Sequence, residues 1–258
     1  MADAKKARAG TAICHFDADR ILIRGRDLVD EIMGTCSFVD LMILQALGKE
    51  PTKLQSRIVD AVLVTIMEHG LIPSAVVTRL THGGAPESFQ GAIAAGLLGV
   101  GDRYAGTAAA CGAMLERIVA VPAPKRATTA LEEVAACRRA RQPVPGFGHP
   151  IHHEKDPRVP RLLEIAKEAG AEGSFTDALD LLADGVRKEL AKPLVMNISA
   201  AIAAVLGEAG IPARMMRGIV LTARCAGLVG HLLEEMDDPA ADDMWLAARA
   251  AVEPRDED

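Results

Sequence analysis

Apolar residues recur at helical spacing along almost the whole chain, and this periodicity carries most of the structural information in the sequence. Residues 56–68 read as a largely buried helix that ends at His69-Gly70, because glycine readily takes the left-handed turn that stops helices. Residues 37–47 read as another, with Phe38, Leu41, Met42 and the stretch from Leu44 to Leu47 as its core stripe. The segment 88–99 is apolar on nearly every side and studded with glycine and alanine, which predicts a central helix whose neighbours approach closely. The same texture returns at 105–120 and 198–209. These three helices can pack tightly on one another or on a partner subunit. Only residues 10–24 predict a short strand pair, so the fold class is all-α.

Breaks punctuate this pattern at 121–127, where Pro122 and Pro124 predict an extended stretch, and at the tail from Glu253. No internal repeat or low-complexity linker is visible. Residues 130–195, bounded by the proline-rich break and by Lys192-Pro193, form the candidate for a smaller moving domain. A large domain then comprises residues 1–129 and 196–258.

Composition narrows the function classes. At 258 residues and 50% hydrophobic content the chain can bury a substantial core. A net charge of -6 with a pI near 5.7 argues against a nucleic-acid surface, which needs a basic face. No uninterrupted apolar run is long enough to span a bilayer and residues 1–8 lack an apolar signal core, so no membrane role and a cytoplasmic location are expected. Cysteines at 14, 36, 111, 137 and 225 are odd in number and scattered, which predicts free, mostly buried thiols. No Asp/Glu/His cluster has metal-ligand spacing, so no metal is expected.

Candidate chemistry concentrates in Pro145-Gly146-Phe147-Gly148-His149-Pro150 and the following Asp156-Pro157-Arg158. Glycines beside Phe147 let backbone N–H groups approach a ligand. His149 can donate, accept or carry a proton near neutral pH, and Arg158 can grip a carboxylate with two parallel hydrogen bonds. The same residues also describe an ordinary Gly/Pro turn with an incidental histidine.

The segment resembles the citrate synthase superfamily, which includes citryl-CoA lyases and the lyase module of ATP-citrate lyase and carries Gly-x-Gly-His followed by Asp-Pro-Arg at this spacing. Further similarities fall in the family's order: Ile23-Arg24-Gly25-Arg26, Glu68-His69-Gly70, Gly101-Asp102-Arg103-Tyr104 with Gly106, Lys192-Pro193, Asn197, Gly210-Ile211-Pro212, and Arg224 with Gly227. They extend from about residue 20 to about residue 235. The resemblance implies a large helical domain with a smaller one closing over it, subunits paired through central helices as a homodimer, and coenzyme A as the thioester substrate or product. It places His149 against the oxo or hydroxyl oxygen, His69, Arg158 and Arg224 on substrate carboxylates, and Asn197 among the substrate-binding residues. Backbone groups of Pro145, Gly146, Phe147 and Gly148 resemble the CoA adenine-binding loop, and Lys192 resembles a CoA phosphate contact. For Arg224 the alternative is a buried salt bridge to a carboxylate.

Two proton-transfer positions depart from the family pattern. The catalytic aspartate position holds Ser199, and the first catalytic histidine position holds Tyr104. The histidine that ATP-citrate lyase uses corresponds to Val77, and the final family arginine has no clear equivalent near Arg249. A positioned acid or base contributes about 10² to 10⁴ in rate, so replacement is required for chemistry. His82, in Thr81-His82-Gly83-Gly84, is the first candidate, ahead of Glu68, Glu87, Tyr104 and His152; a helix-start loop histidine without a chemical role is the alternative. The resemblance implies an acyl-CoA lyase that cleaves citryl-CoA or a related 3-hydroxy-3-carboxyacyl-CoA to acetyl-CoA and an oxoacid such as oxaloacetate. His149, Ser199 and His82 are its catalytic candidates. The alternatives are a non-catalytic protein that binds CoA and carboxylates, a citrate-synthase-type condensation, or dehydration of a related hydroxyacyl-CoA.

Overall fold

A computed structural model describes residues 10–148, 154–190 and 194–252. The chain divides into two compact units, Met1–Arg57 and Ile58–Asp258. In the first, β1 (Cys14–Phe16) pairs antiparallel with β2 (Ile21–Ile23), and β2 pairs antiparallel with β3 (Arg26–Asp27). The Asp17 carboxylate closes the β1–β2 turn by accepting from the N–H groups of Asp19 and Arg20, each at 2.9 Å. A five-residue π-helical turn, Leu28–Ile32, leads to α1 (Phe38–Leu47). Ser37 caps α1 by accepting from Asp40 N–H, and Gly48 ends it at φ 70°. Arg24, itself at φ 52°, donates twice to the Gln45 carbonyl in the last turn of α1, and Arg26 pairs with Glu31 and Glu50. The Ile23–Arg26 motif is thus a fastening of this small unit.

The sequence expectation for α1 needs correction. Its buried residues are Val39, Ile43 and Leu44, while Phe38 is 72% exposed. Where nearly every position is apolar, periodicity selects no face.

Helix α2 (Lys53–Ile66) straddles the boundary between the units. The second unit continues with α3 (Pro73–Gly84), α4 (Phe89–Leu98), a π-helical turn Asp102–Gly106, α5 (Thr107–Ala120) and α6 (Ala123–Arg139). It closes with α7 (Arg158–Glu168), α8 (Ser174–Leu190), α9 (Ile198–Glu208), α10 (Ala213–Asp237) and α11 (Ala241–Ala251). Helix α9 is the core element: every residue from Ala200 to Gly207 is buried, against α5, α7, α8 and α10. Its small side chains permit that crowding, since a Cβ at Gly207 would stand 2.2 Å from the Phe175 ring. By length and composition α10 could cross a membrane, but it packs here on α3, α4, α5 and α9 as a core helix does.

Carboxylates from elsewhere in the chain satisfy several helix N-termini whose orphan N–H groups would otherwise lack partners. Glu208 accepts from Gly173, Phe175 and Thr176 at the start of α8, and Glu116 accepts from Ala213 at the start of α10. Glu235, which is buried, accepts from Ala240 and Ala241 at the start of α11.

Three further expectations change. The expected break at 121–127 is mostly helix, because Pro122 and Pro124 flank the start of α6, where proline costs no hydrogen bond. Helix α4 buries only Ala92 and Gly96 and leaves Leu98 87% exposed, so it is not a central helix within one chain. Cys111 alone is buried among the cysteines; Cys14 is exposed, and the other three are half-buried.

Candidate active site

The site is built from three chain segments, of which the second and third reach the residues at the end of α2. The first is Pro145–Gly148. Phe147 forms an antiparallel bridge with Met196, Gly148 N–H donates to Val195 O at 2.7 Å, and Asn197 N–H donates to Gly146 O at 2.9 Å. The Asn197 side chain completes the junction, its Nδ2 donating to Gly148 O at 2.8 Å while its Oδ1 accepts from Ser199 N–H and caps α9. Gly146 and Gly148 sit at φ 87° and 88°, which glycine adopts without strain. A Cβ at Gly146 would also stand 2.7 Å from Ala200 Cβ and 3.1 Å from Cys111 Sγ, so α5 and α9 both require this glycine. Phe147 N–H is taken by Val144 O and Gly148 N–H by Val195 O. Neither can donate to a ligand without breaking the loop's own bonds.

The second segment is Asp156-Pro157-Arg158 at the start of α7. Asp156, 1% exposed, receives Arg158 Nε at 2.9 Å, Arg158 Nη2 at 2.8 Å, Arg158 N–H at 3.1 Å and Ile198 N–H at 3.0 Å. Burial would raise its carboxyl above the usual range, but the Arg158 hydrogen bonds and charge, with Ile198 N–H, outweigh it and hold the group below that range. This carboxylate therefore ties α7 to α9. It also occupies the Nε–Nη2 edge of Arg158, so two parallel hydrogen bonds from that edge go to Asp156 and not to a ligand. The Nη1 of Arg158 remains, 3.4 Å from His69 Nδ1.

The third is α10. Arg224, 4% exposed, donates from Nη2 to Ile66 O at 3.3 Å, and among the described residues its Nη1 has no hydrogen-bond partner. Burial lowers its pKa, opposed by the charge of Glu68. The alternative of a buried salt bridge is not what the structure shows: no carboxylate of the described residues pairs with Arg224 at contact distance. One turn on, a Cβ at Gly227 would stand 2.1 Å from Met67 O, so α10 presses directly on the chain leaving α2. There Glu68 Oε1 accepts from His69 N–H at 2.8 Å and Gly70 N–H at 2.6 Å. These bonds and His231 prevail over burial, which would raise the Glu68 carboxyl, and lower it instead.

His69, Arg158 and Arg224 are thus brought to the two sides of residues 66–70, and Asn197 joins the 145–148 loop to α9 beside Ile198, which Asp156 holds. Ser199 is half-buried in the first turn of α9. His149 and Lys192 lie outside the described residues, as does His152. His82 sits in the last turn of α3 and not in a helix-start loop, buried, with no hydrogen-bond partner for Nδ1 among the described residues, and Gly83 beside it faces Ala241 of α11. Tyr104 lies in the π-helical turn, 40% exposed, with the Arg103 guanidinium over its ring. Sequence reasoning gave no role to Asp156, Arg79, His231 or Glu235. For Asp156 the signal was its place two residues before Arg158; for the others, partners lie more than 150 residues away.

A buried guanidinium with an open Nη1 and a second arginine that meets an exposed histidine both reach residues 66–70, and such groups have the chemistry to meet an anion, because an ionised group left in low dielectric is costly without a counter-charge. The chain belongs to the citrate synthase family: residues 37–245 match the family described as citrate synthase, C-terminal domain. Citrate synthase of Heyndrickxia coagulans is 28% identical over 196 residues, 74% of this chain and 50% of that protein. Citrate/2-methylcitrate synthase of Bacillus subtilis is 25% identical over 207 residues, 78% and 53% respectively. The chain therefore spans about half the length of the curated relatives it matches. Citryl-CoA lyase from Hydrogenobacter thermophilus superposes with a TM-score of 0.83 at 28% identity, covering 97% of this chain and 95% of that one. ATP citrate lyase from Methanosaeta concilii, solved with (3S)-citryl-CoA, superposes at 0.74 and 19% identity over 92% of this chain and 41% of that one, a likeness of fold.

Proposed function

We propose that the protein is an acyl-CoA lyase that cleaves citryl-CoA, or a related 3-hydroxy-3-carboxyacyl-CoA, to acetyl-CoA and an oxoacid. The observation that carries the reading is Arg224, buried with its Nη1 unpaired next to the segment that bears His69 and faces Arg158. That arrangement suits a multiply carboxylated substrate. Lyase chemistry is favoured over condensation by the near full-length superposition on a citryl-CoA lyase and by Ser199 at the family's aspartate position. The carboxylate that does reach the start of α9, Asp156, is engaged by Arg158 and Ile198 and held ionised, which makes it a poor proton acceptor.

In the cleavage direction His149 takes the proton of the substrate hydroxyl. The C–O bond becomes the carbonyl of the oxoacid as the neighbouring carbon–carbon bond breaks, and the electron pair passes to the thioester as an enolate. The Ser199 hydroxyl and a backbone N–H steady the enolate oxygen, and protonation at carbon gives acetyl-CoA. Arg224, Arg158 and His69 bind the carboxylates; the 145–148 loop and Lys192 hold CoA; His82 remains the candidate for the missing proton-transfer group. A smaller domain over residues 130–195 closes the site. Helices α3 and α4 leave Val77, Leu80 and Leu98 exposed, which supports pairing of two copies as a homodimer.

The test is incubation with citryl-CoA, with oxaloacetate release followed by coupled NADH oxidation. Turnover should fall by about 10² to 10⁴ in His149→Ala. Wild-type release no faster than that control overturns the reading. A second reading, a protein that binds CoA and carboxylates without chemistry, draws on the replacements at Ser199, Tyr104 and Val77. Calorimetric binding of CoA and citrate together with absent turnover would select it.

A further inference from the structure

A line of side chains runs from α11 to His69, and the scheme above does not use it. Arg79, on α3 and 4% exposed, donates from Nε to His231 Nδ1 at 3.2 Å, and its Nη2 lies 3.1 Å from the same nitrogen. A guanidinium has donors only, so Nδ1 must present its lone pair and the ring proton stands on Nε2. That Nε2 lies 3.2 Å from Oε1 and 3.1 Å from Oε2 of Glu68 and donates to the carboxylate. Glu68 in turn accepts from the N–H groups of His69 and Gly70, fixing the turn that carries the His69 ring to Arg158. Arg79 is itself held by Glu234 and by buried Glu235, the latter at 2.9 Å, and Glu235 caps α11. Both nitrogens of His231 are therefore matched, one to an obligate donor and one to an acceptor that faces the site.

We propose that His231 is a positioning residue of the carboxylate site. By presenting Nε2–H to Glu68 it sets the orientation of that carboxylate, which holds the His69–Gly70 turn in place and keeps a counter-charge beside the Arg224 guanidinium. Matched bonds around a residue that does not itself touch the ligand are how a site keeps its contacting groups within a few tenths of an ångström. The inference rests on reading residues 66–70 as the border of a carboxylate site, and its test separates the two.

The variants are His231→Gln, whose amide nitrogen reaches the Nε2 position, and His231→Asn, which can still accept from Arg79 but is too short to donate to Glu68. Two readouts are taken: calorimetric titration with citrate, and the backbone amide signals of His69 and Gly70 in nitrogen–proton spectra. His231→Gln should bind citrate within about threefold of wild type and keep both amide signals, while His231→Asn should bind about tenfold or more weakly, the loss of one hydrogen bond to a charged group. In His231→Asn the two amides should shift and exchange faster, with those of α9 unchanged. Wild-type affinity and unmoved amides in His231→Asn, or equal losses in the two variants, overturn the proposal. If wild-type protein takes up no citrate, the carboxylate reading fails by itself. The His69 and Gly70 amides then decide alone: movement in His231→Asn but not in His231→Gln supports positioning, and any other pattern overturns it.

Discussion

Replacing Asp156 by alanine removes the side chain that holds the start of α7, the start of α9 and Arg158 together. The carboxylate is 1% exposed and accepts four hydrogen bonds, two from the Arg158 guanidinium and two from backbone N–H groups. Breaking a buried charged pair by removing one partner costs about 3 to 5 kcal/mol. Arg158 retains 24% side-chain exposure and can regain water, which puts the loss near the lower limit, about 3 kcal/mol. At roughly 2 to 4 °C per kcal/mol for a chain of this size, the melting temperature should fall by about 6 to 12 °C. Urea unfolding should show a lower midpoint with an unchanged slope. The pH dependence supplies a sign. Because the folded state lowers the Asp156 pKa, its contribution is fully present above the unfolded value of about 3.9 and is lost as pH falls through the lower folded value. The stability gap between wild type and variant should therefore be constant near neutrality and shrink only in acid. A loss below about 1 kcal/mol, or a gap that widens on acidification, would refute the assignment of Asp156 as the tie between α7 and α9.

The remaining expectations concern single sites. Arg224→Met should weaken citrate binding by more than about tenfold while leaving thermal stability equal or higher, since an apolar side chain replaces a buried, unpaired cation; loss of stability with intact binding would contradict this. Gly207→Ala forces a methyl to within 2.2 Å of the Phe175 ring and should cost about 1 to 3 kcal/mol in urea unfolding. Glu208→Ala leaves three N–H groups at the start of α8 without their acceptor and should cost about 0.5 to 2 kcal/mol, with Glu208→Gln intermediate. A thiol reagent at neutral pH should label exposed Cys14 and spare Cys111, whose thiol burial pushes up to about 12; equal labelling by mass spectrometry would contradict the packing of Gly146 on α5 and α9.

Helix existence was legible in the sequence wherever apolar residues left a polar face, as in α2 with its buried Ile58 and Val62, or where burial is total, as in α9. Faces were not legible where both sides are apolar. Helix α4 and Phe38 show this: small or apolar residues all round name no inward side, and Leu98 points outward. Pro122 and Pro124 misled because proline stops a helix from within yet favours its first turn. In the site, His69, Arg158 and Arg224 could be singled out through their local motifs, and the structure brings all three to residues 66–70. The glycines at 146 and 148 suggest room for a ligand in the sequence; in the structure both are required by their positive φ, and Gly146 also by its contact with Ala200 of α9 and Cys111 of α5. Partnerships such as Glu68 with His231 carry no local pattern, since 163 residues separate them and only the folded helices bring them together.

In the proposed function Arg224, Arg158 and His69 together form the carboxylate-binding wall of a thioester site. A crystal structure with citrate and CoA bound tests it most directly. The expected result is a citrate carboxylate within hydrogen-bond distance of Arg224 Nη1, a second contact from Arg158 Nη1 or His69, and CoA along the 145–148 loop. Citrate bound away from α10 and the 66–70 turn, with Arg224 still unpaired, would contradict the account.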